Sequence, residues 1–443
     1  MVAIRNPPAV IDVSVIVPVF NKAPYLPELL DSLQRQTSES FDVWLVDDGS
    51  TDGSETLCDE IAAEDQRFHV IHQPNSGWPG RPRNVGIDVS ESRYLFFADA
   101  DDWCEPTLLA DLVSFADEHS SDMVLPVVLS EGHSYTTREP VFHSAIDLDP
   151  REAFHSLTPH KLFRRAYFEA LGLRFTEDRV PLEDGQLVAR AYVGGGRISR
   201  FGERLGYHYM GREGTNISYA PRDPLAHGHS VADIMRSAKQ VPEHADEIIT
   251  DLYRRKLLRY LGPRYLPGMP PERQAAYVHA TAEIAAEFIS DQMESTLTPW
   301  PRLASRTARL DDAGISVALA QARAEDLVPA ERNNGHWFIG PVPADDIVVI
   351  RPKARKVPTK GVRVVVRPEW LRVTAARLEF HVDTAVVPAD EALRPQQPLV
   401  GPAHVYACWD DECVPVTYDG DPATADGLRY QGDGDGRLVV TPV

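Results

Sequence analysis

The chain has 443 residues and a mass of 49.3 kDa, room for two to four domains at roughly 100–200 residues each. Hydrophobic residues make up 43% and charged residues 25%, which excludes wholesale disorder and a membrane-embedded body. With 66 Asp plus Glu against 45 Lys plus Arg the formal net charge is −21, so a general polyanion-binding surface, and with it nucleic acid, is excluded as the expected partner.

The first residues offer no apolar region of signal-peptide length, and the longest apolar runs fall far short of the roughly 18 residues of a membrane span. The expected place is therefore the cytoplasm or the inner face of the membrane. From there to about residue 130, apolar β-branched runs at 13–20, 41–46, 68–72 and 94–98 alternate with helix-compatible runs at 24–36, 54–65, 83–89 and 106–119. This βαβ rhythm predicts an α/β domain with a mostly parallel sheet whose strands are buried on both faces. Ligands of such sheets bind beyond the carboxyl ends of the strands. Polar clusters fall at those ends: Asn21, then Asp47 and Asp48, then residues 75–84, then residues 99–102.

Mixed helix and strand is expected over residues 151–219, with a Pro-marked break at 221–224. Residues 224–324 read as helical, with Ile248, Leu252, Leu257 and Leu258, then Ala282, Ile284 and Phe288, at three- and four-residue spacing. After Pro329, short strand-like runs at 347–350, 362–366, 376–382, 404–408, 414–418 and 438–440 predict a C-terminal all-β sandwich. The expected domains are thus 1–220, 221–328 and 329–443. The four cysteines argue against a disulfide scaffold, and Cys408 and Cys413 lack the further ligands a zinc site needs.

Asp99, Ala100, Asp101 and Asp102 end an apolar strand, where two carboxylates one residue apart can face a hard cation and the phosphates it bridges, with Mg²⁺ or Mn²⁺ the natural fit. The plainer alternative is a solvated turn, with Asp102 capping the helix that starts near Pro106. Asp47 and Asp48 put carboxylates at a second strand end, where one can accept from the imide N–H of uracil or build an Asx-turn. Arg83 and Asn84 open a helix suited to anions, and Gly77 and Gly80 would let the backbone approach a ligand or simply form a loop.

The runs Val15-Ile16-Val17-Pro18-Val19-Phe20-Asn21, Val46-Asp47-Asp48-Gly49-Ser50-Thr51-Asp52, Pro82-Arg83-Asn84-Val85-Gly86 and Phe97-Ala98-Asp99-Ala100-Asp101-Asp102, in that order and spacing, resemble glycosyltransferase family 2. The resemblance covers about half the chain and implies the GT-A fold and a nucleotide-sugar donor. It places Pro18, Asn21 and Asp48 around the nucleoside, Arg83 and Asn84 against it, Asp99 at the ribose, and Asp101 on Mn²⁺ or Mg²⁺. Leu182-Glu183-Asp184-Gly185 is similar to the family's acidic element before an acceptor-side helix, which implies Asp184 as base with Glu183 beside it. The bland reading is an acidic helix start.

Residues 160–165, around Lys161, resemble the family's lysine-bearing segment, or a basic helix face. Residues 207–218 resemble its end-of-domain segment, where Arg212 would pair with phosphate and His208 would ligate the metal or bond the diphosphate. A surface arginine and a core histidine are the alternatives.

The architecture is most similar to the wall-teichoic-acid glycosyltransferases. That similarity implies inverting, metal-dependent transfer of N-acetylglucosamine from its UDP form to a hydroxyl of a polyol-phosphate polymer, and a C-terminal module that makes a homo-oligomer. Competing readings keep the chemistry but change the acceptor to a capsular or exopolysaccharide, a lipid-linked sugar or a small molecule, or make the chain a non-catalytic polymer-binding protein.

Overall fold

The structure, a computed structural model, describes residues 11–132, 139–212 and 222–324 and six strand segments between 368 and 442. The chain divides into two compact units, Met1–Ile249 and Thr250–Val443.

The first unit opens with the expected alternation: β1 (Val13–Val19), α1 (Leu26–Gln34), β2 (Phe41–Asp47), α2 (Ser54–Glu64), β3 (Phe68–His72), α3 (Gly80–Val89) and β4 (Tyr94–Phe97). After these come β5 (Trp103–Cys104), α4 (Leu108–Glu118), β6 (Met123–Glu131), α5 (Pro150–Ala153), β7 (Leu162–Arg164), α6 (Arg165–Ala170), α7 (Glu183–Tyr192), β8 (Ile198–Met210) and α8 (Pro224–Ala238). The sheet runs β3-β2-β1-β4-β7-β6-β8-β5. β1 pairs in parallel with β2 and β4, and β2 with β3, while β7 is antiparallel to both β4 and β6. β8 is parallel to β6 and β5 antiparallel to β8, so all strands except β7 and β5 point the same way. The carboxyl ends of β1, β2, β4 and β8 therefore share one edge.

β1 is central because it can be: Val13, Val15, Ile16, Val17 and Val19 are fully buried, as a strand covered on both faces requires. α1 lies over the sheet through Leu26, Leu29, Leu30 and Leu33, an i, i+3, i+4, i+7 stripe that is entirely buried. Pro18 sits in this strand without cost. Ile16 accepts the Ala98 N–H on the β4 side, and Pro18, on that same side, lies beyond the last β1–β4 pair at Ile16.

α9 (Ala245–Lys256) spans the end of the first unit and the start of the second, and α10 (Pro271–Phe288), α11 (Asp291–Thr296), α12 (Pro299–Arg309) and α13 (Ala313–Ala324) follow. The helical stripes read from the sequence face inward: Ile248, Leu252, Leu257, Leu258, Ile284 and Phe288 are buried, Ala282 half-buried. Further on, β9 (Pro368–Thr374) and β10 (Arg377–Val382) form a hairpin, and β11 (Tyr406–Trp409), β12 (Glu412–Tyr418), β13 (Leu428–Gly432) and β14 (Leu438–Pro442) a second sheet in the order β11-β12-β14-β13. β9 and β13 were not anticipated, and the strands expected at 347–350 and 362–366 lie outside the described residues. Cys408 and Cys413 stand opposite each other in the β11–β12 register.

Candidate active site

The first two strand ends are locked into each other. Asn21 takes a left-handed backbone (φ 51°), donates its N–H to Ser50 Oγ at 3.0 Å, and accepts the Thr51 N–H on its side-chain oxygen at 2.8 Å. Asp47 makes the Asx-turn foreseen as its plain reading, accepting the Ser50 N–H at 3.0 Å, and its other oxygen meets His72 Nδ1 at 3.0 Å. Asp48 is buried and accepts from Gln73 Nε2 (2.5 Å), Ser76 N (3.0 Å) and Ser76 Oγ (2.9 Å), fastening the residue 73–78 loop to β2. Gly49 is required there: its φ is +74°, and a Cβ would stand 2.8 Å from the Asn75 nitrogen. Gly80 serves the chain in the same way, since its Cβ would lie 1.9 Å from the Thr176 carbonyl oxygen.

At the end of β4 the three aspartates separate by partner. Asp102 is fully buried and accepts from the Tyr207 hydroxyl and the Met210 N–H, both at 2.7 Å, so it is not the cap of α4, whose N-cap position is Thr107. Burial, then Asp99 and Asp101, push its carboxyl well above the usual range. His160, fully buried and stacked on Tyr207 with ring centres 4.4 Å apart, completes this network under the strand end. Its Nε2 stands 3.7 Å from Asp99 and 3.8 Å from Asp102, and burial lowers its pKa.

Asp99 is the most open of the three, its side chain 28% exposed. Burial favours its neutral form, but Arg83, His160 and Lys22 outweigh that and hold it below the usual range. Asp101 meets Lys22 Nζ at 2.6 Å, and burial together with Asp99 raises its pKa against that ammonium.

Among the described residues, Asp99, Asp102 and His160 bring ligand-type atoms within 4.8 Å of one another. Both Asp102 oxygens are already taken by Tyr207 and Met210. The carboxylates left to face a cation are Asp99 and Asp101, a hard-oxygen set that fits Mg²⁺ or Mn²⁺ and that already holds an ammonium.

Arg83 joins this edge to the acidic helix start. Buried in α3, it bonds Asp99 at 2.8 Å through Nη2 and Glu183 at 3.1 Å through Nη1, with its guanidinium 5.0 Å from the centre of the Phe175 ring. Burial disfavours its charge, but Asp99, Glu183 and Asp184 more than offset this. Glu183 is itself buried, and burial and Asp184 push it up to about 7 against the pull of Arg83. Leu182 before it adopts φ 59°, left-handed for a residue with a branched side chain, and at the N-terminus of α7, which follows, Glu183 is buried and Asp184 half-buried. Beneath lies Lys161, fully buried, whose ammonium donates to Ser156 Oγ at 3.1 Å and to the Thr158 carbonyl. Burial lowers it to about 7, and Asp184 is the one charge that resists this shift. Asn84 does not line the site: its amide donates to the Phe175 carbonyl and Glu177 and accepts the Phe175 N–H, so it staples residues 175–177 to α3.

Arg212, just past β8, reaches the same edge. Its Nε donates to the Asp101 carbonyl at 3.3 Å, its Nη2 pairs with Glu28, and it lies over the Tyr25 ring. Residues 213–218 of this segment lie outside the described residues. His208 is placed differently from the expectation. It stacks on Trp103 with ring centres 3.3 Å apart and meets Glu105 at 2.9 Å and Glu131 at 3.5 Å. Successive strand residues face opposite ways, so Tyr207 enters the aspartate network and His208 turns from it. The histidine beside the aspartates is His160.

The order of motifs around Arg83 agrees with what comparison with known proteins finds. A Glycosyl transferase family 2 model matches residues 14–175, and a Glycosyl transferase TarS linker domain model matches residues 221–320. Residues 14–175 thus form a glycosyltransferase family 2 domain, followed by a linker domain of the TarS type.

Among members of the family, the poly(ribitol-phosphate) beta-N-acetylglucosaminyltransferase TarS of Staphylococcus aureus is 30% identical over 250 residues, 55% of this chain and 44% of that protein. The poly(ribitol-phosphate) beta-glucosyltransferase of Bacillus spizizenii is 28% identical over 233 residues, 51% of this chain and 37% of that protein. The chain thus spans less than half the length of these relatives. A crystal structure of S. aureus TarS 1–349 in complex with UDP-GlcNAc superposes with a TM-score of 0.63 at 23% identity, covering 74% of this chain and 99% of that one, which shows a shared fold.

Proposed function

We propose that the chain transfers a sugar, N-acetylglucosamine in the first instance, from a UDP-sugar to a hydroxyl of a polyol-phosphate polymer, with inversion at the anomeric carbon. The observation that carries this reading is the Arg83 bridge, which ties a strand-end carboxylate suited to a nucleotide and its cation to the acidic start of α7. The family match over residues 14–175 and the polymers named for the relatives support the same reading.

In this reaction the acceptor oxygen bonds to the anomeric carbon as the bond from that carbon to the diphosphate oxygen breaks. UDP leaves with the electron pair, and Asp184 takes the acceptor proton. Arg83 holds Glu183 beside Asp184 at the start of α7, and Asp99 faces the ribose. Asn21 and Asp48 shape the nucleoside edge through the loops they fasten, with Pro18 beside them, and Arg212 stands where the diphosphate would lie. Asp101 and Asp99 would hold Mn²⁺ or Mg²⁺, which when bound neutralises charge developing on the departing diphosphate.

In the domain plan, residues 1–220 catalyse, 221–328 link, and 329–443 assemble copies into a homo-oligomer that offers several acceptor sites to a repeating polymer. No described helix is long and apolar enough to cross a membrane, and we place the enzyme in the cytoplasm or at the inner membrane face. Purified protein with UDP-N-acetylglucosamine, Mn²⁺ and poly(ribitol phosphate) should release UDP in step with labelling of the polymer. UDP release that the polymer does not raise would remove the acceptor assignment, and absence of UDP-sugar binding would remove the whole reading. Cutting near Asp326 should keep donor hydrolysis and lower the mass seen by light scattering; an unchanged oligomer order would remove the assembly role.

A further inference from the structure

Lys22 has no part in the sequence motifs, yet it makes a short ion pair with one of the strand-end aspartates. Its Nζ lies 2.6 Å from Asp101 Oδ2, with the two side chains 16% and 8% exposed. The backbone that presents it is held on all sides. Asn21 is fixed to the β2 turn, the Lys22 N–H donates to Ser54 Oγ at 2.8 Å, the Ala23 N–H donates to Asp52 at 3.0 Å, and the Lys22 carbonyl accepts from Tyr25 and Leu26.

We propose that Lys22 is a stand-in for the divalent cation: its ammonium occupies the Asp101 carboxylate until the ion arrives, and the ion binds by exchange with it. The inference rests on the reading of Asp101 as the metal-holding carboxylate. A hard cation takes a carboxylate oxygen at about 2.0–2.1 Å, where an ammonium already 2.6 Å from Oδ2 repels it, so the two compete for Asp101. The need for some cation is built in, because Asp99, Asp101 and Asp102 crowd one strand end and only Asp99 has Arg83 as a partner. Arg212 does not meet that need, since it reaches the Asp101 carbonyl and gives its charge to Glu28. Exchange rather than simple filling keeps the buried carboxylate neutralised in both states. It also lowers the apparent affinity for the bare ion by the fraction of time the ammonium is in place.

The test measures Mn²⁺ binding to the full chain, without nucleotide, by the electron paramagnetic resonance of the free ion. Lys22→Met should bind Mn²⁺ about tenfold more tightly than wild type, since the competing state is gone, and Asp101→Asn should lose binding. Unchanged or weaker binding in Lys22→Met beside a clear loss in Asp101→Asn overturns the exchange and leaves the metal reading standing. Wild-type binding in Asp101→Asn removes both. A second measurement needs no variant: acetylation of Lys22 in the wild-type chain, read by peptide mass, should be faster with Mn²⁺ than without. Equal labelling overturns the exchange.

Discussion

The carboxylates of this site come in two groups that answer the same physical problem in different ways. At the end of β4, three aspartates each have their own partner: Asp99 has Arg83, Asp101 has Lys22, and Asp102 has Tyr207 and the Met210 N–H. At the start of α7, Glu183 shares Arg83 with Asp99, while Asp184 has Lys161 beneath it without an ion pair among the described contacts. A strand end opens to solvent and can recruit cations from neighbouring loops. A helix start is packed from below and depends on what the fold buried there. On the proposed function the first group would hold a cation and the second would take a proton.

Among the described residues Arg83 is the side chain bonded to both groups, so Arg83→Met tests whether they form one site. Removing one partner of a buried ion pair costs about 3–5 kcal/mol, and here two carboxylates lose their partner at once. Thermal unfolding should show that loss together with the loss of transfer. A variant that keeps its melting temperature and its turnover would separate the two groups.

Next in size is Asp184→Asn, which sharpens the division of labour. Turnover should fall roughly 100-fold or more, as for loss of a general base, while UDP-sugar binding stays near normal. Asp101→Asn should do the reverse and lose metal-dependent binding itself. Calorimetry with UDP and Mn²⁺ on both variants, beside single-turnover rates, decides this. Loss of donor binding in Asp184→Asn would put that residue in the first group.

Much of this was legible in the sequence because strand-end chemistry is local. A buried strand followed at once by Asp47 and Asp48, or by Asp99 and Asp101, announces the edge at which ligands bind, and the four βα units fall where the apolar runs do. What could not be read is contact across long separations. Lys22 meets Asp101 79 residues away, and His160 joins Asp99 and Asp102 through a stack on Tyr207. The resemblance over residues 207–218 implies His208 on the metal or the diphosphate, but alternation along β8 sends Tyr207 to Asp102 and stacks His208 on Trp103. Asn84 and Gly80 have the right letters for ligand contact, but their reach is spent on residues 175–177 of the chain itself.

The pH dependence of stability isolates the second group from below. Lys161 in the folded chain is lowered to about 7 by burial, against about 10.4 unfolded. Below pH 7 both states carry the proton and the residue contributes no slope. Between pH 7 and 10 the unfolded chain alone keeps it, so stability rises with pH. Relative to Lys161→Met, the wild type should gain about 1.6 kcal/mol between pH 7 and 8.5, slightly under the full 1.36 kcal/mol per pH unit because the folded lysine is half protonated at pH 7. Denaturant melts of the two proteins at both pH values measure this double difference, and parallel curves would mean that Lys161 stays charged in the fold.

His72 is the surface counterpart of these buried groups, and it sets the lower end of the scale. It lies between two carboxylates, Asp47 at 3.0 Å and Asp59 at 3.1 Å, and the hydrogen bonds its ring donates to Asp47 and then to Asp59 raise its pKa. The sign is opposite to that of Lys161. A raised folded value gives stability that is fully present below the unfolded value of about 6.5 and is lost as pH rises through the folded one. Its side chain is 45% exposed, so solvent screens the pair and the contribution should stay below about 1 kcal/mol. His72→Gln should therefore flatten slightly the fall in melting temperature between pH 5.5 and 8.5 and leave turnover unchanged. A large stability loss in that variant would show that Asp47, buried at the end of β2, depends on the imidazole as strongly as Asp99 depends on Arg83, and the contrast between buried and exposed acid pairs would fail at this edge.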